Sequence, residues 1–283
     1  MRFSNLVPWL LSISGLSLAC RESSAHSHAK PMTEIELKSP ADDPTAIQGG
    51  EPDAFGERIR RASLKRLAEA GFRPAATLPT AGHRRYVPGK LRAVEEVARR
   101  LLGLQALVAW VVAPPDQVSD EEILGFVKRS RLRSALTAEE LEVLDTPRSA
   151  SVEQYAGSVG WKMENMWPLA WALGFELAPT PSHGMVGGEV MGPLFREFLP
   201  DMKGDLTSFV GKLQMRTREA VVELEDEFYC AHNAVRSAQQ GDTSAVPEGF
   251  HPVSEGGVVH ERRHSLTWIL SPTIDWEITD LST

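Results

Sequence analysis

Residues 91–113, LRAVEEVARRLLGLQALVAWVVA, decide the fold class. Leu91, Val94, Val97, Ala98, Leu101, Leu104 and Val108 recur at intervals of three and four, the spacing of one face of an α-helix. From Leu101 onward the segment is apolar on almost every side, which suits a helix surrounded by other helices. Pro114 and Pro115 stop it, because proline has no N–H to donate and its ring clashes with the preceding turn. A transmembrane reading fails on length: Arg99 and Arg100 bound the apolar part, and a span needs about 20 residues.

The same period continues on both sides. Arg58 to Ala70 places Ile59, Ala62, Leu64 and Leu67 near helical spacing, with Gly71 as the stop. Ser119-Asp120-Glu121-Glu122 and Thr137-Ala138-Glu139-Glu140 are capping boxes, so a short helix is expected after each, its carboxylates structural and not catalytic. Ser151 to Leu173 directs Val159, Met163, Met166, Ala170 and Leu173 inward and flanks them with Trp161, Trp167 and Trp171. Pro168 lies inside this helix, where a kink is expected, and Gly174 follows it. Thr217 to Ala238 has the inner face Val221, Leu224, Phe228, Ala231 and Val235, and Val258 to Leu270 forms the last helix. Residues 175–215 show no sustained period beyond a short helix near Val190 to Phe198. No run alternates as a strand would and no repeat is present, so the expected class is all-α, a single multi-helix domain over residues 57–283.

Composition narrows the functional classes. The 38 acidic residues outnumber the 30 basic ones, for a formal charge of −8, and the basic residues are scattered among acidic neighbours. No aromatic-studded basic stripe exists for a nucleic acid to bind. Only Cys20 and Cys230 are present, which excludes a disulfide framework. Cys230 reads as a quiet helical thiol, because only His232 lies near it as a base.

The first residues read as an export signal, with Arg2 before an apolar stretch from Leu6 to Leu18 too short to span a bilayer comfortably. Leu16-Ser17-Leu18-Ala19-Cys20 resembles the lipobox of bacterial lipoproteins. That resemblance implies cleavage after residue 19 and lipid attachment at Cys20, anchoring the chain at the cell envelope. Residues 20–56, rich in Ser, Ala, Pro, Asp and Gly and including His26 and His28, are expected to form a disordered tether. The alternative is a cytoplasmic protein whose translation starts at Met32.

His260-Glu261-Arg262-Arg263-His264 matches the H-E-x-x-H pattern of zinc hydrolases, in which two histidines four apart bind the metal and the glutamate serves as general base. Three features oppose it. A third ligand could come only from Asp275, Glu277 or Asp280, the two intervening arginines would repel a dication, and the histidines fall opposite the apolar stripe of their helix. No cofactor is therefore expected, with zinc as the alternative.

Arg262 falls inside that stripe and requires a buried carboxylate, with Glu164, Asp226 and Glu227 as candidates. His232 also faces inward, near Phe228 and Val235. Glu164, Asp226, His232 and Arg262 thus form a candidate polar cluster, either structural or ligand-binding.

The stretches Arg61-Ala62-Ser63-Leu64 through Leu78-Pro79, Gly160-Trp161-Lys162-Met163-Glu164 through Trp171-Ala172-Leu173-Gly174, Tyr229-Cys230-Ala231-His232, and Val258 through Trp268 together resemble the bacterial domain-of-unknown-function 4272 family. The likeness spans about residues 57–280. It implies no activity, and it implies that position 260 need not be histidine. Asn233 stands where the family pattern suggests tryptophan, and the export signal is a second departure, since such domains often look cytosolic. The expected function is a non-enzymatic, envelope-tethered domain that binds a partner protein or small ligand around Arg262, His232 and the Trp161–Trp171 helix.

Overall fold

The structure, a computed structural model, describes residues 53–84, 89–181 and 184–283. The export signal, Cys20, Met32 and the tether as far as residue 52 lie outside the described residues. The described chain is all-α. Nine α-helices occur in it, in the order α1 (Ala54–Glu69), α2 (Val94–Val112), α3 (Asp120–Arg129), α4 (Ala138–Asp145), α5 (Arg148–Ala172), α6 (Gly188–Pro193), α7 (Leu206–Val210), α8 (Arg218–Gln239) and α9 (Ser254–Leu270). Short 3-10 turns connect several of them, and a π-helical turn, Leu194–Phe198, follows α6 in the stretch whose period was hardest to read.

Local chemistry sets the boundaries. Asp53 caps α1 by accepting from the N–H of Gly56 at 2.8 Å, and its second oxygen accepts from Thr80 and Gly82, which ties the following loop to the helix start. Ser119 and Thr137 both form complete capping boxes, with Glu122 and Glu140 reaching back to the cap N–H. Gly71 and Gly174 adopt φ of 88° and 112°, conformations that cost an L side chain energy, and each lets the chain reverse after a helix.

The two prolines after α2 leave its last carbonyls, beyond that of Ala109, without helical partners. Arg148 fills the role: buried at the start of α5, it donates to the carbonyls of Ala109, Trp110, Ala113 and Val118 and pairs with Asp120. Helix α5 continues through Pro168 to Ala172.

The helices pack in a simple chain of neighbours. Helix α2, buried along nearly its whole length, lies on α5; α5 lies on α9; α9 lies on α8; and α8 lies on α1. Helix α9 is thus held between α5 and α8, and every residue from Ser265 to Leu270 is buried. His260 and His264, placed by the helical wheel on the side away from the core, are half-buried instead, because Trp276 and Leu281 of the C-terminal segment fold back over that side. No helix among the described residues is long and apolar enough to cross a membrane.

Candidate functional site

The arginines of the H-E-x-x-H stretch diverge. Adjacent residues on an α-helix point about 100° apart, so Arg262 and Arg263 reach different neighbours of α9. Arg262 turns toward α5, where its Nε donates to Glu164 at 2.7 Å and its two Nη groups donate to the carbonyls of Thr180 and Gly184. Glu164 completes its own shell by accepting from the N–H of Val186 at 2.7 Å. Burial pushes the Glu164 carboxyl above its ordinary range, against the attraction of Arg262. Of the three carboxylates that the sequence offered to Arg262, Glu164 is the one it meets.

Arg263 turns toward α8. It is fully buried, faces Glu225 at 3.4 Å, and donates to His232 Nδ1 at 2.7 Å and to the carbonyl of Leu281 at 2.8 Å. A guanidinium only donates, so Nδ1 of His232 must accept and the ring is neutral. Burial first, then Arg263, His260 and Arg236, push the pKa of His232 down to about 3.

Glu225 and Asp226 anchor a second group of charges on the α1 side of α8. Asp226 is fully buried and accepts from Arg60 Nε at 3.1 Å and Nη2 at 2.9 Å, and from Arg84 at 2.9 Å. Glu225 pairs with Arg84 at 2.7 Å and accepts from Thr267 at 3.2 Å. The Tyr229 ring is approached by Arg84, Arg263 and Arg60 at 4.4, 4.8 and 5.7 Å. Glu227 faces out to Arg66 at 2.5 Å. The four residues read as one polar cluster therefore separate: Glu164 with Arg262 lies on the α5 side of α9, and Asp226 and His232 lie on the α8 side.

The metal alternative meets this geometry as follows. The rings of His260 and His264 are 6.3 Å apart, on one side of α9 as the spacing requires. His264 Nε2 is 2.9 Å from the carbonyl of Trp276, which can only accept, so that nitrogen carries a proton and has no lone pair for a cation. Glu261 turns away from both histidines toward α5, where Asn165 donates to its carboxylate at 2.9 Å. Asp275, Glu277 and Asp280 do not complete a set: no group of three or more His, Cys, Asp or Glu side chains that could hold a metal occurs among the described residues. The residues present do not fit a zinc site. Cys230 is buried as well, and burial pushes its thiol up to about 12, far from a reactive thiolate.

Glu261 opens onto a different feature, a cleft of about 570 Å3 between α4, α5 and α9. Its back wall is the buried carboxylate of Glu140, which accepts from Arg100 through both oxygens at 2.5 and 2.9 Å and from Lys162 at 2.7 Å. Burial alone would raise this carboxyl, but Arg100 and Lys162 outweigh it and hold its pKa at about 2. Tyr155 and Trp161, both half-buried, wall the cleft over an apolar floor that includes Val143 and Val159. The Trp161 ring lies so close to Gly257 that a Cβ there would come within 2.9 Å of it, so glycine leaves the room in which the indole rests. On the far side of the Arg100–Glu140 pair is a second hollow of about 380 Å3, in which Arg100 and Arg92 stack on Trp276 and Trp268 at 4.0 and 3.9 Å.

The family model described as "Domain of unknown function (DUF4272)" matches residues 58–279. The chain belongs to the DUF4272 family. No curated protein and no solved structure matches it. The DUF4272 stretches noted in the sequence coincide with the buried ion pairs. The carbonyls of Leu78 and Pro79 accept from Arg60, Trp161 to Glu164 carry the cleft wall and the partner of Arg262, and Tyr229 and His232 line the surroundings of Arg263. Asn233, the departure from the pattern, accepts from the N–H of Ala75 at 2.9 Å.

Arg263, Glu225, Arg60, Arg84 and the Arg100–Glu140 pair were not singled out from the sequence. No local signal marks the acids: at about 100° per residue, Glu225, Asp226 and Glu227 all fall outside the apolar face of Val221, Leu224, Phe228, Ala231 and Val235. Their arginine partners lie far away in sequence and follow no local pattern.

Two outcomes follow from this geometry. Arg262→Ala should lower stability by about 3–5 kcal/mol, because Glu164 is left buried without its cation, whereas Arg262→Met combined with Glu164→Leu should recover most of the loss. Urea unfolding of the wild type, Arg262→Ala, Arg262→Met, Glu164→Leu and the double variant measures this, and additive losses from the last three would contradict the pairing. The second outcome concerns pH. Folded His232 stays neutral down to about pH 3, while the unfolded chain takes up a proton near 6.5. Between those values the unfolded state binds more protons, so stability should fall as pH drops from 6.5 toward 3, with loss of the Glu140 contribution joining below about 4.5. His232→Gln should make the slope above pH 4.5 shallower, and an unchanged slope would show that His232 does not contribute.

Proposed function

We propose that this domain is a non-enzymatic binding module that takes a small ligand in the cleft walled by Tyr155 and Trp161. The observation that carries the reading is a contrast in saturation. The deeply buried charges are spent on each other or on backbone carbonyls: Arg262 on Glu164, Arg263 and Arg84 on Glu225, Arg60 on Asp226, Arg100 on Glu140. At the cleft, by contrast, two aromatic rings and the Glu261 carboxylate are half-buried beside an open volume of small-molecule size. Trp161 belongs to the Trp161–Trp171 helix on which the sequence expectation placed binding, while Arg262 and His232 lie behind it, Arg262 paired with Glu164 and His232 hydrogen-bonded to Arg263.

A fragment mixture followed by ligand-observed NMR tests the reading. Fragments that bind should compete for one site, and Trp161→Ala should abolish that binding without unfolding the protein. Binding that survives the substitution, or that does not compete, would sink it.

We further infer that the domain is held at a bacterial envelope by lipid on Cys20. The lipobox-like Leu16 to Cys20 and the polar stretch behind it support this. Metabolic labelling with a fatty acid should mark the full-length protein and be lost in Cys20→Ala. An unlabelled wild type would favour a cytoplasmic protein starting at Met32.

A further inference from the structure

We propose that the cleft between α4, α5 and α9 selects an organic cation, a small molecule carrying an ammonium group on an apolar body. The proposal rests on the ligand-binding reading of the same cleft and adds the chemical class. Four carboxylates line the space, Glu139, Glu140 and Glu142 from α4 and Glu261 from α9, against a single base, Lys162. Lys162 is committed to Glu140, whose other partner, Arg100, approaches from behind the wall. That leaves Glu139, Glu142 and Glu261 with no ion-pair partner among the described residues, all three bordering one apolar-floored space.

Ordinary helix electrostatics account for only part of this arrangement. Glu139 and Glu140 stand in the first turn of α4, where acids complement the positive end of the helix. Glu142 lies beyond that turn. Glu261 sits in the middle of α9, far from either end of the Ser254–Leu270 helix, and belongs to a different element altogether. Asn165 donates to only one of its oxygens, at 2.9 Å, and so aims the carboxylate while leaving the other oxygen open to a donor.

The aromatic walls add the second half of the argument. The faces of Trp161 and Tyr155 carry negative quadrupole potential, which attracts a cation that has left part of its hydration shell, and indole is the strongest ring in this respect. Gly257, with no Cβ, leaves the space in which Trp161 packs along the wall of the cleft. An anion would meet uncompensated carboxylates and no available base. A neutral apolar ligand would fill the floor but leave the carboxylates without a partner. The chain's formal charge of −8 adds long-range attraction for the same sign of ligand.

Three probes of matched chain length separate the possibilities: hexylammonium, hexanol and hexanoate, titrated into the protein at low salt and followed by ligand-observed NMR. Hexylammonium should bind about tenfold more tightly than hexanol, equivalent to about 1.4 kcal/mol, and hexanoate should show no saturable binding. Glu261→Gln should remove most of the preference for hexylammonium while leaving hexanol unchanged, and Trp161→Ala should weaken both. Hexanol or hexanoate binding at least as tightly as the amine would overturn the cation assignment and leave a ligand cleft of another class. No binding of any probe, or amine binding indifferent to both substitutions, would overturn the cleft reading together with the assignment.

Discussion

Two guanidinium groups on consecutive residues cannot leave a buried helix in the same direction. Arg262 and Arg263 leave α9 about 100° apart, and a helix carrying both can be buried only if a carboxylate waits on each side. Glu164 on α5 and Glu225 on α8 meet that condition, and the order of packing, α5 on α9 and α9 on α8, follows from it. Desolvating such pairs costs roughly what their attraction returns, but a state in which either partner is buried without the other is strongly disfavoured, so the pairs hold α9 to both neighbours. A register shift of α9 by one residue would bury at least one unpaired charge. Loop carbonyls at Thr180 and Gly184 and the tail carbonyl at Leu281 complete the two shells, so the least regular parts of the chain are fixed by the same pair of residues.

The same arrangement accounts for each residue of the metallopeptidase-like string in structural terms. In His260 to His264 the two arginines face the neighbouring helices, the histidines face the C-terminal segment, and Glu261 faces the cleft on the α5 side. Helical spacing brings the histidines together, but it also sends the glutamate away from them. The sequence pattern and the geometry therefore separate at the third residue of the motif's chemistry, the would-be base.

Helix positions were legible because burial and period coincide: α2, α5 and α8 begin and end within about three residues of their expected limits, and both capping boxes form. The region 175–215 was not, because its helices are one or two turns long and a π-turn breaks the 3.6-residue period. Arg262 stood out as a charge inside an apolar stripe. Arg263 did not, since it falls just beyond the edge of that stripe, beside Leu270, where a flanking arginine reads as one that reaches water, whereas α9 is buried on that side too. The cleft was beyond reach for a different reason: it is the space left where α4, α5 and α9 diverge, and the wall residues named in the sequence, among them Glu140, Val159, Trp161 and Glu261, belong to separate helices with no local pattern joining them.

The central claim is that α9, bolted on both sides, is the last element to open. Native-state amide hydrogen exchange as a function of urea tests it directly. The account predicts that amides from about residue 259 to 270 exchange only through global unfolding, with the same free energy and urea dependence as the slowest amides of α5 and α8. Exchange of α9 at a distinctly lower free energy, independent of urea, would mean that the helix opens locally and that the paired arginines do not hold the fold together.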